Sequence, residues 1–436
     1  MKPIRIFLPC NSLDAYVYSG HIFAVFQDGT LRTTPLSRVF RALCDTYPQF
    51  RGIFTLALLR SDWLLNPQAT AYFYIKEGFE AIKNTWQKSA LEDFRVELSE
   101  ADDWTVLWEV PAMPVYDIRL YAMRVYLAHR QGVHEGQLRS GLDTIYHHNG
   151  LIKIFDARTI NISARSGEFM LSADNEGLFH GSLWNEDAKT IVNQRPDAKK
   201  SLRTGWTGFD VINYEKHSYF SYMRNEIATR TIKPFSHSEN EIATRAIRPF
   251  SYSEIDELPP KKEIIHVAVD TYSMDEVLQR VSFKSDDVQF CFNNSYASFF
   301  FLQDGRFLRV NWAKESEKDI RLRSRVHDLP TLKEDGEQKI VDKPCSAIIF
   351  PLGSVIEYFD KVIMVHNNKI TELENSPVIS IRTFPTSKRF KRLICITRED
   401  GIALHAIFPT EEEIFSLRSR RWRRTTHTVG TTTVAA

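Results

Sequence analysis

Four of the thirteen histidines, His129, His134, His147 and His148, fall within twenty residues of one another. Neutral imidazole is a good ligand for zinc or iron, so neighbouring strands could assemble a metal site from them. The plainer reading places them in surface turns, since His147-His148-Asn149-Gly150 has the composition of a turn, and no metal is expected. Asp156, Asp174 and Asp210 pose a similar choice. Three carboxylates meeting at one mouth could share acid and base work, yet aspartate is also a routine turn residue. The sharpest electrostatic feature is RSRRWRR near the end of the sequence. Arg418, Arg420, Arg421, Arg423 and Arg424 could neutralise phosphates while Trp422 stacks on a base. Glu411, Glu412 and Glu413 precede them, and acidic-then-basic is also the order that complements a helix dipole.

Around these candidates the familiar signatures are missing. The sequence contains no P-loop, GxGxxG, HExxH, GxSxG or EF-hand pattern, so no cofactor is expected. Its 436 residues, 43% hydrophobic and 25% charged, are enough to bury a large core. The 56 basic residues nearly cancel the 55 acidic ones, which leaves no whole-chain field to attract nucleic acid or membrane. Five scattered cysteines with no CxxC spacing read as reduced and intracellular. The apolar run IFLPC at the start is too short for a signal-peptide core, and no stretch approaches the ~20 apolar residues that cross a bilayer. A soluble, cytoplasmic chain without membrane contact is the expectation.

The elements that must position any site are strands. The chain holds 29 Phe and 16 Tyr, with short β-branched or aromatic runs between turn residues. HIFAVFQDGTLRTTPL, FFFLQDGRFLRVNW and LICITREDGIALHAIF each predict a hairpin, turning at Asp28-Gly29, Asp304-Gly305 and Asp400-Gly401. YLAHRQGVHEGQL and LSADNEGLFHGSL share an alanine, two glycines and a final leucine in one register, and so read as the same unit. Weaker members turn at Asn367-Asn368 and at Glu77-Gly78, the latter alternatively leading into a helix. The long interval between Gly177 and Gly305 should hide another unit. SYFSYMRNEIATRTI fits, with a strand at Tyr219 to Met223, a turn at Asn225-Glu226 and a strand from Ile227 to Ile232.

That last unit runs into a duplication. NEIATRTIKPFSHSE (225–239) is followed at once by NEIATRAIRPFSYSE (240–254), twelve matches in fifteen. Pro234 and Pro249 argue against a helix, so the second copy reads as a spare turn and strand from a slipped duplication. The alternative is a bivalent ligand offering TRxIxPFS twice. Helices are expected at 36–47, where Leu36, Val39, Phe40, Leu43, Cys44 and Tyr47 share a face, at 274–283 behind a Ser273/Glu276 capping box, and at 411–421 behind Thr410/Glu413.

The hairpins and their spacing resemble a β-propeller of about seven blades. The resemblance is architectural: the Trp-Asp pairs of the WD-repeat family and the double glycine of the kelch family are absent, and Ser172 to Gly177 misses the sialidase Asp-box by one residue. The reading is an all-β, irregular propeller over 1–410 with short helical inserts and the duplicated insert 225–254, then a C-terminal helix and basic tail over 411–436. Two β-rich domains, 1–212 and 264–410, are the rival division. The first strand, Ile4 to Leu8, is expected to close the ring against the last blade. Such an architecture implies a non-catalytic cytoplasmic scaffold or adaptor with a protein partner. The alternatives are a nucleic-acid-associated subunit using the arginine-rich tail, and a propeller-type hydrolase or metal enzyme.

Overall fold

The computed structural model of the chain describes residues 2–65, 76–141, 144–165, 167–183, 190–193, 196–207, 210–214, 218–228, 262–294, 297–316, 319–328, 331–334, 337–340, 344–350, 353–366 and 369–409. β1 (Ile4–Pro9) is followed by β2 (Ser12–Tyr18), β3 (His21–Phe26) and β4 (Thr30–Pro35). A helical excursion and β5 (Phe94–Arg95) intervene before β6 (Thr105–Glu109) completes the first four-stranded sheet. The second sheet contains β7 (Val115–Tyr121), β8 (Arg124–His129) and β9 (Gly132–Ser140), with β10 (Ile145–His147) and β11 (Ile152–Phe155) both pairing with β9.

The third contains β12 (Asn161–Arg165), β13 (Glu168–Ser172), β14 (Leu178–Ser182) and β15 (Ile191–Val192). The fourth is β16 (Arg203–Thr207), β17 (Asp210–Tyr214), β18 (Ser218–Ala228) and β19 (Lys262–Ser273). The fifth is β20 (Val288–Asn294), β21 (Ala297–Leu302), β22 (Arg306–Ser316) and β23 (Asp319–Asp328). A hairpin of β24 (Thr331–Glu334) and β25 (Glu337–Ile340) leads to the sixth, β26 (Pro344–Phe350), β27 (Gly353–Tyr358), β28 (Val362–His366) and β29 (Lys369–Glu374). β30 (Ser380–Thr383), β31 (Leu393–Arg398) and β32 (Gly401–Ala406) form the seventh together with β1, and β5 adds in parallel outside β1.

The first strands β2, β7, β12, β16, β20, β26 and β30 touch in that order, and β30 returns to β2. That closed ring of sheets is a β-propeller. The first strand closes it as expected, with Ile4 to Pro9 antiparallel to Gly401 to Ala406. The rival division into two domains does not hold, because the fourth sheet takes strands from both sides of the proposed boundary.

Each sheet is packed on both faces, and the period-2 alternation of a strand sorts its side chains between two neighbours. Phe299, Phe300 and Phe301 of β21 are all fully buried. Phe300 packs with Ile212 of the fourth sheet, whereas Phe299 and Phe301 pack with Ile356 and Val365 of the sixth. A run such as FFFL is thus a strand with two cores. On the outside, the helix Leu36–Thr46 buries Leu36, Val39 and Leu43, the face its spacing predicts. The helix Met274–Gln279 opens on the expected capping box: Glu276 N donates to Ser273 Oγ at 3.2 Å, and Ser273 N to Glu276 Oε2 at 2.7 Å.

Gly29, Gly132, Gly177, Gly305 and Gly401 all join the second strand of a sheet to the third, and each has positive φ. Side-chain size matters as much as conformation at three of them, a Cβ on Gly401 meeting the Leu8 carbonyl. A Cβ on Gly132 would collide with the Phe155 carbonyl, and one on Gly177 with that of Ala198. The two aligned sequence copies are therefore the same turn in consecutive sheets. Gly78 lies within the helix Lys76–Ser89, and Asn367-Asn368 lies outside the described residues.

One hairpin is corrected. No turn exists at Asn225-Glu226, because β18 continues to Ala228 and pairs along its length with β19, Asn225 opposite Ile265 and Glu226 opposite Ile264. Pairing with a strand some forty residues away overrides the local turn composition. Residues 229–254, most of the duplication, lie outside the described residues, as do 411–436. No helix among the described residues is long and apolar enough to cross a membrane.

The junction of the sixth and seventh sheets is closed by charge. Glu374 at the end of β29 accepts from Arg5 Nε of β1 and from Arg398 Nη1 of β31, both at 2.7 Å, and lies 2.8 Å from His405 Nε2 of β32. Burial alone would raise this carboxyl, but the hydrogen bonds and charges from His405 and Arg5 take it down to about 2. Burial also lowers His405, although the Glu374 carboxylate pulls it the other way.

Two predictions follow from these connections. A carboxyl depressed in the fold contributes stability that is present above its unfolded value and is lost as pH falls through the folded one. Chemical denaturation of the wild type should therefore show stability falling between about pH 4.5 and 2, and Glu374→Gln should flatten that slope; an unchanged slope would deny Glu374 this part in closure. Deleting 240–254 shortens the connection from Ala228 to Lys262 without touching β18 or β19, and should cost about 1 kcal/mol or less. A thermal melt showing an unfolded deletion variant would make the second copy structural.

Candidate functional site

The chemistry of the ring collects at its axis. Six of the seven first strands, together with residues 384–390, line a cavity of about 810 Å³ that opens at one face. That face carries the turns between first and second strands, such as Ser19-Gly20 and the segment 384–392 between β30 and β31. The glycine turns lie at the opposite face, since successive turns of an up-and-down sheet alternate ends.

The inner end of the cavity is built from paired charges. Arg382 of β30 donates to both oxygens of Asp14 on β2, from Nε at 3.2 Å and Nη2 at 2.5 Å, and from Nη1 to Asp117 on β7 at 2.6 Å. Ser380 Oγ donates to Asp14 at 2.6 Å. Asp117 Oδ2 accepts from Asn161 Nδ2 at 3.0 Å and from Ile162 N at 2.8 Å, both on β12. Asn161 Oδ1 in turn accepts from Thr204 N of β16 at 3.3 Å. One chain of hydrogen bonds thus ties the seventh, first, second, third and fourth sheets together. Burial opposes the Arg382 charge, but Asp14 and Asp117 outweigh it and hold the guanidinium well above its ordinary value.

Local structure explains where the two aspartates sit. β2 slips register against β3 between Ser12 and Asp14, and β7 slips against β8 between Val115 and Asp117. A bulge at the start of each strand re-aims the residue that follows it. Four residues further on, Tyr18 Oη accepts from Met123 N at 3.0 Å, and Tyr121 Oη accepts from Gly167 N at 2.9 Å. Each tyrosine therefore holds the turn of the next sheet. Asp14-Ala-Tyr-Val-Tyr18 and Asp117-Ile-Arg-Leu-Tyr121 are the same D-x-x-x-Y device, and that repeat is the signal by which sequence reasoning could have found the axis.

The charged side chains of the rest of the lining are mostly cationic. Arg119, Arg165, Arg203, Arg382, Lys388 and Arg389 line the cavity against the carboxylates of Asp117 and Glu357. Arg203 Nη1 donates to Asn293 O at 3.0 Å. Burial, with the nearby Arg382 charge, pulls Arg203 below its ordinary value despite Asp117. Burial pushes Glu357 up, against a 2.5 Å hydrogen bond from Ser346 Oγ. Guanidinium groups remain protonated at neutral pH, so this arrangement can bind and orient negative charge.

The histidines are arranged otherwise than the turn reading expects. His129 is buried on β8, and its Nε2 lies 2.8 Å from Nδ1 of His134 on β9, the rings stacked with centroids 4.9 Å apart. The tight turn at Gly132 folds one strand onto the next and brings them together. Burial first, then His134 and Lys153, lowers His129 to about 4, so the pair is neutral at pH 7. His147 and His148 are exposed and elsewhere: His147 lies against Trp108, and His148 Nε2 is 2.8 Å from Arg139. Among the described residues, no group of three or more His, Cys, Asp or Glu is placed to hold a metal ion.

The three aspartates do not meet. Asp174 is in the second turn of its sheet and Asp210 at the first turn of the next, hence at opposite faces, while Asp156 is exposed and pairs with Lys153 at 2.5 Å. Arg418, Arg420, Arg421, Trp422, Arg423 and Arg424 lie outside the described residues.

No family model matches the chain, and no curated protein matches it. Solved structures similar to it include the computationally designed protein Ika8, at TM-score 0.40 and 6% identity over 93% of this chain and 100% of that one. The WD40 β-propeller domain of Doa1 aligns at TM-score 0.37 and 9% identity, covering 94% of each chain. The N-terminal domain of Nup159 aligns at 0.39 and 10%, covering 93% of this chain and 95% of that one. The propeller assignment rests on the closed ring of sheets itself.

Removing Arg382 would leave two buried carboxylates facing each other. Arg382→Leu should therefore destabilise the fold by about 3–5 kcal/mol, read from urea denaturation. Arg165→Leu, which breaks no ion pair with a described residue, should change stability by about 0.5 kcal/mol or less. Equal effects would remove the bridge from its central place.

Proposed function

We propose that the chain is a non-catalytic, cytoplasmic scaffold or adaptor that binds a partner protein on the face of the ring where the axial cavity opens. One observation carries the reading: a ring tied together at its axis presents a cation-lined mouth between short turns and the segment 384–392. A rigid frame loses little conformational entropy when a partner docks, and excess positive charge steers an acidic one. Lys388 and Thr386 are exposed on that segment, within reach of a docked surface, whereas on the other face the turns at Gly132, Gly177 and Gly401 are closed over by backbone.

The test is native co-purification of the full chain from its host, with and without Thr386→Glu and Lys388→Glu together. The expected result is a stoichiometric partner that is lost with the charge change while the melting temperature is unchanged. A partner retained by this variant and lost on deleting 411–436 would instead favour the nucleic-acid-associated alternative if its release required nuclease. Retention through both changes would overturn the choice of face.

A further inference from the structure

The cavity has an excess of hydrogen-bond donors that a protein-docking face does not require. The first strands run in one direction around the axis, so a residue's place in its strand sets its depth. Arg203 opens β16 and lies at the inner end; Arg119 is midway along β7; Arg165 closes β12 at the mouth. Lys388 and Arg389 stand above them on the segment 384–392. Arg382 is occupied by Asp14 and Asp117, so among the described residues the remaining lining carboxylate is Glu357, which burial raises. Tyr18 and Tyr121 also line the cavity. Each phenol oxygen accepts one backbone N–H and keeps its own proton to donate.

We infer that the axial cavity binds a small polyanion, carrying two or more phosphate or carboxylate groups, between Arg203 at the inner end and Arg165 at the mouth. The volume of about 810 Å³ suits a small-molecule site. Guanidinium forks match both phosphate and carboxylate oxygens, and cations at two depths require a ligand charged at more than one point. Among the described residues Arg165 makes no ion pair and Arg203 donates to a carbonyl, so neither is held between two carboxylates as Arg382 is. Glu357 is raised by burial and accepts from Ser346 Oγ, so a bonded carboxyl is what a ligand would meet on that side.

The test is isothermal titration of the full chain, after dialysis at low salt, with tripolyphosphate and citrate as separate probes. Saturable one-to-one binding that weakens as salt is raised is expected for at least one of them. Tripolyphosphate alone would assign a phosphorylated ligand and citrate alone a polycarboxylate. Arg165→Gln should weaken binding by about tenfold, and Arg165→Gln with Arg203→Gln by more, while Arg95→Gln, on the outer strand β5, should leave it unchanged. Should the double variant fail to fold, Arg165→Gln alone decides. No saturable binding of either probe at millimolar concentration, or binding that Arg165→Gln and Arg95→Gln affect equally, would overturn the proposal.

Discussion

The structure depends on what happens where seven strands converge on one axis. Their edges have no further strand to pair with, and side chains of like kind are forced together from different sheets. Arg382 resolves this for two of them by placing one guanidinium between two carboxylates. A buried charge triad is costly in isolation, because three groups leave water. It is acceptable here because every carboxylate oxygen accepts at least one hydrogen bond: Ser380 adds to Arg382 on Asp14, and Asn161 with the Ile162 amide bonds the second oxygen of Asp117. The same bonds carry information about position. A ring of sheets packed by apolar faces alone could slide, whereas a guanidinium fork fixes the relative height of β30, β2 and β7.

Outward from the axis the reasoning changes from charge to shape. Every sheet is a partition between two cores, so its second and third strands read as continuous apolar runs: HIFAVF, ASFFFL and GIALHA are buried from end to end. Closure requires the last partition to meet the first, and β1 does so with Phe7 facing the sixth sheet's cluster while Ile6 and Leu8 face the first. Glu374 then repeats at the rim what Asp14 and Asp117 do at the axis, accepting from cations on strands that come from the two ends of the sequence. Propellers close by pairing chain termini, and in this one two independent polar clusters reinforce the pairing.

The parts of this fold legible in the sequence are those decided locally. A second-to-third strand turn needs positive φ, so glycine marks it, and five sheets announced themselves in that way. Two-sided burial kept the flanking runs apolar enough to read as strands. What was not legible is decided across distance. β18 passes through Asn225-Glu226 only because β19 lies beside it. The fourth strand of the first sheet arrives after a helical excursion, so nothing near β4 signals β6. His129 and His134 looked like turn residues because the turn at Gly132 was visible while the pairing of its arms was not. The axis escaped for a further reason: its residues are single polar positions in six strands, and only the D-x-x-x-Y pair at Asp14 and Asp117 repeats at all.

That dispersal bears on how such a site works. A cavity assembled from one or two residues per sheet exists only when the whole ring is closed, so its electrostatics report on the integrity of the fold. The cations divide accordingly. Arg382 is consumed in closure: its charge is cancelled, and its neighbours are arranged to keep it so. Arg203 is three sheets away along the ring yet close enough for the two guanidiniums to repel, with Asp117 attracting it in turn. Nothing in the packing of β16 requires a cation at its first position, since the neighbouring Thr204 and Trp206 carry the contacts with the third sheet. A fold selected for stability alone would place a smaller or neutral side chain there. Within the protein the Arg203 guanidinium has the Asn293 carbonyl and the attraction of Asp117 to set against the repulsion of Arg382, and it keeps solvent-facing donors for what its charge attracts.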